Sequence, residues 1–397
     1  MYIFGGSNSI AVMQSGYEID RVLEISDDIL EKNAYHFHKN YPDIDIVLPS
    51  EWKTSDYLES LEAYNYDLFY ANNPCSGLSR INIKNAGASN ETNKYFYDVF
   101  DAIFKIKPKT FLIENAPTLT TIGVSILEDL NELLGEEYYI NICSDCAGNH
   151  NVAMKRARTL ITGFRKDTIK GCPIHRPNKQ VKTTVKDVIG DLYDTEDGDL
   201  NVNNFSVTPV RFDNLSIYYN MVPQNKSVMN AMIHSNIDYS DSTILTDYQK
   251  RFLNRGRAKV AEGKNFFDKF PYRLSENDVA PSLTSLSKFI HPIKDRGLTT
   301  REYARIMGYP DDFEFYDGCK THVIQCIAQG VPVNFIKYAL SAINEAYSDS
   351  AILISANCTY QNNMQEMFTP NPNFIEPLVG EISLNNVLYK KLRRKLF

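Results

Sequence analysis

No run of the chain approaches the roughly 18 unbroken apolar residues that a membrane-spanning helix needs, which excludes that class. A secretory start is missing too. Met1 is followed at once by "YIFGG", with neither a basic segment nor a cleavable apolar one, so a cytoplasmic location is expected. Cysteine is sparse: seven are scattered over 397 residues. They form no dense framework, which excludes a disulfide scaffold and points to free thiols in a reducing compartment. Cys143 and Cys146 make one CxxC pair, but there is no second pair and no His at zinc spacing, so no metal site is expected. Positive charge is not in excess either, with 42 basic residues against 49 acidic and a net charge of −7. A nucleic-acid partner then has to rest on local patches. Two exist, "QKRFLNRGRAKVAEGK" (249–264) and "KKLRRKLF" (390–397). Internal repeats are absent.

What is present is an ordinary globular composition, 43% hydrophobic and 23% charged. The length fits two or three domains, or one large α/β domain with insertions. Over the first 165 residues short apolar runs alternate with helical patterns. "YIF" precedes a Gly-Gly turn; "IDRVLEI" (19–25), "YDLFYANN" (66–73), "KTFLIEN" (109–115), "YYINIC" (138–143) and "RTLITGF" (158–164) are of strand length. Such alternation predicts a doubly wound, mostly parallel sheet with helices on both faces. From about 167 to 270 the pattern changes. "NVNNFSVTPVRFDNLSIYYNMVPQNKS" (201–227) is rich in Asn, Ser, Thr and Tyr and predicts short strands and loops in a smaller domain. Helices are expected at "LTTREYARIMGYP" (298–310), capped at Thr299 or Thr300 with Glu302 in the first turn, and at "VPVNFIKYALSAINEAY" (331–347), with Pro332 in the first turn.

Ligands of doubly wound sheets bind beyond the strand ends, and Glu24, Cys75 and Glu114 all sit at or just past the end of an apolar run. Cys75 follows Pro74 in "DLFYANNPCSGLSRIN" (67–82). A buried structural cysteine is the plain alternative. Collected with Glu114 of "ENAP" and with Arg156 and Arg158 of "MKRART", the thiol gains a chemistry. A thiolate adds well to an electron-poor ring carbon, a protonated carboxyl donates to a ring nitrogen, and an arginine fork holds a carbonyl oxygen. The set suits attack on C6 of cytosine. A cysteine hydrolase would need a general-base His, and none lies in a motif near Cys75.

With those residues in view, the chain resembles the DNA (cytosine-5)-methyltransferases. "NPCSGLS" (73–79) is similar to the family's Pro-Cys loop, "FLIENAP" (111–117) to its Glu-Asn motif and "NVAMKRARTLITGFR" (151–165) to its Gln-x-Arg-x-Arg strand. "VKTTVKDVIGDL" (181–192), "YRLSENDVAPSLTSLSKFIHPIKDRGLTTREYARIMGYPDDF" (272–313) and "CIAQGVPVNFIKYAL" (326–340) follow in family order. The resemblance implies Cys75 as the covalent nucleophile, Glu114 as the acid on the flipped base, Arg158 at its O2 and Arg156 on a nearby phosphate. For the cofactor, S-adenosylmethionine, it implies Phe4, Gly5, Gly6, Glu24, Pro74, Gln329 and Gly330. The chain departs from the pattern in a shorter glycine loop, in Met154 where glutamine is usual, in Ala328-Gln329 for Gly-Asn, and in "NP" for "PP".

The implied organisation is a catalytic and cofactor domain (1–166), a target-recognition region (167–270), a return segment with a closing helix (271–347) and an extension (348–397). The implied partner is double-stranded DNA, bound by a monomer, in a restriction-modification, phage-protection or orphan setting. Two variants stay open at this stage: a non-catalytic DNA-binding relative, and one that places a group other than methyl on C5.

Overall fold

The computed structural model describes residues 6–24, 35–74, 77–78, 90–170, 172–173, 182–193, 214–264, 270–284, 288–315, 320–348 and 353–354. The strands are β1 (Arg21–Leu23), β2 (Asp45–Val47), β3 (Leu68–Asn72), β4 (Thr110–Asn115), β5 (Tyr138–Cys146), β6 (Ala157–Arg165), β7 (Cys172–Pro173), β8 (Lys226–Ser227), β9 (Tyr272–Arg273), β10 (Phe289–Ile290) and β11 (Leu353–Ile354). The helices are α1 (Ser7–Gln14), α2 (Tyr35–Asn40), α3 (Pro49–Trp52), α4 (Ser55–Ser60), α5 (Lys94–Ile106), α6 (Val124–Leu134), α7 (Val185–Ile189), α8 (Val228–His234), α9 (Asp247–Ala261), α10 (Thr300–Ile306), α11 (Lys320–Gln329) and α12 (Val333–Ala346).

The architecture is mixed α/β, as the strand-helix alternation predicts. The main sheet has the order β3-β4-β6-β5. β3 and β4 are parallel, while β6 runs antiparallel to both β4 and β5, so one reversed strand sits inside the sheet. β1 and β2 pair in parallel beside it. The expected strand at 2–4 lies outside the described residues.

Alternation along the strands builds two cores. Phe111 and Ile113 of β4 face α5 and α6, whereas Leu112 joins Tyr70, Leu160 and Phe164 in the core shared with α1, α10, α11 and α12. α5 shows why its segment is helical: Phe96, Val99, Phe100, Ile103 and Ile106 recur at helical spacing and are buried, and Lys107, in the left-handed region at φ 49°, ends it. Gly163 is required by contact. A Cβ there would lie 2.0 Å from the Phe111 ring across the sheet.

Between 214 and 227 the described residues agree with the expectation of short strands and loops: residues 216–221 form a 3-10 turn and β8 is two residues long. α8 begins right after β8, and α9 follows at Asp247. Residues 201–213 lie outside the described residues. This region has its own core of Leu215, Tyr219, Val228, Met232, Leu245 and Leu253, closed by Ile290 from the return segment. β8, β9 and β10 form one small sheet, so the return segment contributes to both units. It is also laced to the main sheet: Ala280 bridges Met154, and Arg156 Nη1 donates to the Leu283 carbonyl at 2.5 Å. α10 carries the expected capping box between Thr299 and Glu302. Pro332 occupies the cap of α12, one step before the first turn expected for it. Beyond α12, β11 pairs antiparallel with β7. Among the described residues no helix is long and apolar enough to cross a membrane.

Candidate active site

Strand register assembles the site. β3 and β4 run in parallel with Asn72 beside Glu114, both at their C-terminal ends. β6 enters from the opposite direction, with Leu160 beside Glu114. Arg158, two residues earlier on the same face, therefore reaches back over the end of β4. Its Nε lies 2.5 Å from Glu114 Oε1. On the other side the Asn72 amide donates to Oε2. Alternation puts Tyr70 on this face as well, with its hydroxyl buried.

Glu114 is 2% exposed. Burial pushes its carboxyl up from the ordinary range, against the pull of Arg158, Arg156 and the Asn72 amide. The same burial, with the Glu114 charge, pushes the Tyr70 hydroxyl well above its ordinary value. The pocket thus favours a carboxyl that takes up a proton more readily than a surface glutamate, which a proton donor to a ring nitrogen needs.

Cys75 lies outside the described residues, but the chain on both sides of it is anchored. Asn115 Nδ2 donates to the Asn73 carbonyl at 3.2 Å, and Asn73 Nδ2 to the Tyr95 carbonyl at 3.3 Å. After the loop, Thr118 donates its hydroxyl to the Leu78 carbonyl. Pro74 is half-buried at the end of this anchored strand. The described residues on either side, Asn73 and Leu78, are thus held by Asn115 at the end of β4 and by Thr118 just after it.

Arg156 is not at the surface. It is buried, and its guanidinium ties the return segment to β6 through Leu283. That position suits a brace and a source of positive potential near Glu114 more than an open phosphate contact. Among the residues the sequence did not single out, Asn72 and Tyr70 became legible only through register. Asp145 and His150 are a further pair. His150 Nε2 sits 2.7 Å from Asp145 Oδ2, with the ring against Tyr338 and Phe335 of α12. Burial works to raise the Asp145 carboxyl, but His150, Asn149 and the Cys146 amide outweigh it and hold the group low.

Of the expected cofactor residues, Phe4 and Gly5 lie outside the described residues. Gly6 caps α1 at φ 89°, in the left-handed region that favours glycine, and a Cβ there would come within 3.0 Å of Phe313. Glu24, fully buried, follows β1; its amide donates to the Val47 carbonyl at 3.0 Å, and its carbonyl accepts from the Trp52 indole. Gln329 is the exposed last residue of α11, and Gly330 behind it is buried. The first turn of α1 holds Asn8, 2% exposed. Its amide oxygen and nitrogen, and the Ser9 hydroxyl, have no hydrogen-bond partner among the described residues. Among the described residues no cluster of three or more His, Cys, Asp or Glu could hold a metal ion.

The strand ends of this α/β sheet gather a buried carboxyl, an arginine and an asparagine amide. A profile of the C-5 cytosine-specific DNA methylase family matches residues 6–345, and the chain belongs to that family. The type II methyltransferase M.PspPI of a Psychrobacter species is 30% identical over 287 residues, 68% of this chain and 61% of that protein. M.DdeI of Desulfomicrobium norvegicum, also a type II methyltransferase, is 23% identical over 400 residues, 93% of each chain. The chain thus spans about three fifths of the length of the Psychrobacter relative. Among solved structures, a DNA modification methyltransferase encoded within an E. coli prophage superposes with a TM-score of 0.56 at 18% identity, covering 86% of this chain and 97% of that one. Spodoptera frugiperda DNMT2 gives 0.55 at 13% identity, over 86% and 98%. At these identities the structural likeness speaks for the fold alone.

Proposed function

We propose that the protein is an S-adenosylmethionine-dependent DNA (cytosine-5)-methyltransferase. The observation that carries the reading is the Glu114 carboxyl, buried between Asn72 and Arg158 beside the loop of Cys75. The target carbon lies inside a stacked duplex, so the base must be flipped out at a cost of a few kcal/mol. The Cys75 thiolate forms a bond to C6 while the Glu114 hydroxyl passes its proton to N3. Arg158 holds O2. The electron pair displaced by the thiolate makes C5 nucleophilic. After transfer, loss of the C5 proton to a base expels the thiolate and restores the ring.

The residues present fit the cofactor. Asn8 and Ser9 offer unpaired polar atoms at the positive end of α1, which suits a methionine carboxylate. Glu24 is a buried acid at a strand end, the position that accepts from ribose hydroxyls in nucleotide folds. Gly6, with Gln329 and Gly330, would line the remainder. Bound there, S-adenosylmethionine supplies the methyl group. Residues 167–270 would read the DNA, with the exposed face of α9 along its backbone.

The test is a transfer assay with labelled S-adenosylmethionine and mixed-sequence duplex DNA, followed by nucleoside mass spectrometry. 5-Methylcytosine is the expected product. No transfer, with no cofactor binding by calorimetry, would favour a non-catalytic DNA-binding relative; a different C5 adduct would favour another donor.

A further inference from the structure

We propose that Asn72 is a positioning residue that fixes which oxygen of Glu114 carries the catalytic proton. The proposal rests on Glu114 as the acid of the reading above. Register carries the argument: Asn72 and Glu114 are direct partners on parallel strands, and Asn72 is itself buried. Its amide nitrogen can only donate, so Oε2, which accepts from it, is held as the unprotonated oxygen. Arg158 faces the other oxygen, Oε1, and it too can only donate. Arg158 and Asn72 both favour the carboxylate, while burial opposes them and lifts the carboxyl above its ordinary range.

A base carbonyl in the pocket changes this balance. Arg158 turns from Oε1 to that carbonyl, and Asn72 stays on Oε2. Oε1 alone loses its donor, takes a proton from solvent, and presents it to the ring nitrogen as the thiolate adds. The charged and titratable groups facing Glu114 are Arg158 on β6, Arg156 just before it, and Tyr70 on β3. Asn72 is the neutral member of the set, and it is the one placed to choose between the two oxygens without adding charge.

Single-turnover methylation against pH tests this. A donor that stabilises the carboxylate holds its pKa down, so losing it raises the pKa. For Asn72→Ala the alkaline limb should move to higher pH, and the maximal rate should fall on the order of tenfold, the size of one lost charge-assisted hydrogen bond. KM for DNA should stay within about twofold, since Asn72 touches Glu114 and not the duplex. Asn72→Ser keeps a donor and should return the limb toward its wild-type position. Asn72→Asp, of the same shape, covers an alanine variant that does not fold, and its limb should also rise. A rate loss that tracks the melting temperature with an unmoved limb would overturn the proposal. Glu114→Gln, run in parallel, separates the two failures. Near-normal turnover there removes the acid role and this proposal with it. An inactive Glu114→Gln beside an unmoved limb in Asn72→Ala overturns this proposal alone.

Discussion

The environment of Glu114 pulls its carboxyl in two directions. Burial disfavours the charged form, while Arg158, Arg156 and Asn72 favour it, and burial wins. Activity should therefore decline as pH rises through a glutamate pKa lifted above the ordinary carboxylate range. Glu114→Gln keeps a hydrogen-bond donor but has no acidic proton to give. The expected loss in the methylation rate is about 10²- to 10⁴-fold, with DNA affinity within about twofold by anisotropy and the Glu114-dependent part of the pH profile gone. Near-normal rates would contradict the role. At this scale the sequence was partly legible. Glu114 and Arg158 stand out through their motifs. Asn72 does not, because its contact depends on which residue of β4 lies beside it, and no local pattern encodes register between strands 42 residues apart in the chain.

The strands from 19–25 through 158–164 were readable because their apolar runs are fully or half buried, and the structure begins and ends them within a few residues of the expected bounds. The direction of β6 was not readable. A buried antiparallel strand has the same apolar pattern as a parallel one. The helical period of α9 was faint because only Gln249, Leu253 and Gly256 are buried, a narrow face. Thr246 and Gln249 nonetheless close a capping box at its start. On its outer face Arg251, Arg255 and Lys259 are exposed at four-residue spacing. Arg257 turns inward to the carbonyls of Met232 and Ile237. If α9 follows the DNA backbone, replacing Arg251, Arg255 and Lys259 by Gln should reduce the slope of log K against log salt by about 1 per lost phosphate contact, about 3 in all. The loss should be uniform across sequences. An unchanged slope would remove α9 from the interface.

At the level of the whole molecule, six motifs in order carried the family reading, because together they span most of the chain, and the family match over 6–345 agrees with it. The boundary at 271 is less sharp than the order of motifs implies. β8, β9 and β10 join residues 214–261 to the return segment, and Ile290 closes the core of that region. The return segment also bonds, through Ala280 and Leu283, to residues 153–156 just ahead of the strand of Arg158. The proposed function turns on one event, attack by Cys75 on a flipped cytosine. Covalent trapping on a duplex containing 5-fluorocytosine, with S-adenosylmethionine present and the adduct mapped by peptide mass spectrometry, tests that event most directly. A stable adduct on Cys75 is expected in the wild type and none in Cys75→Ser. An adduct on another residue, or one that persists in Cys75→Ser, would contradict it.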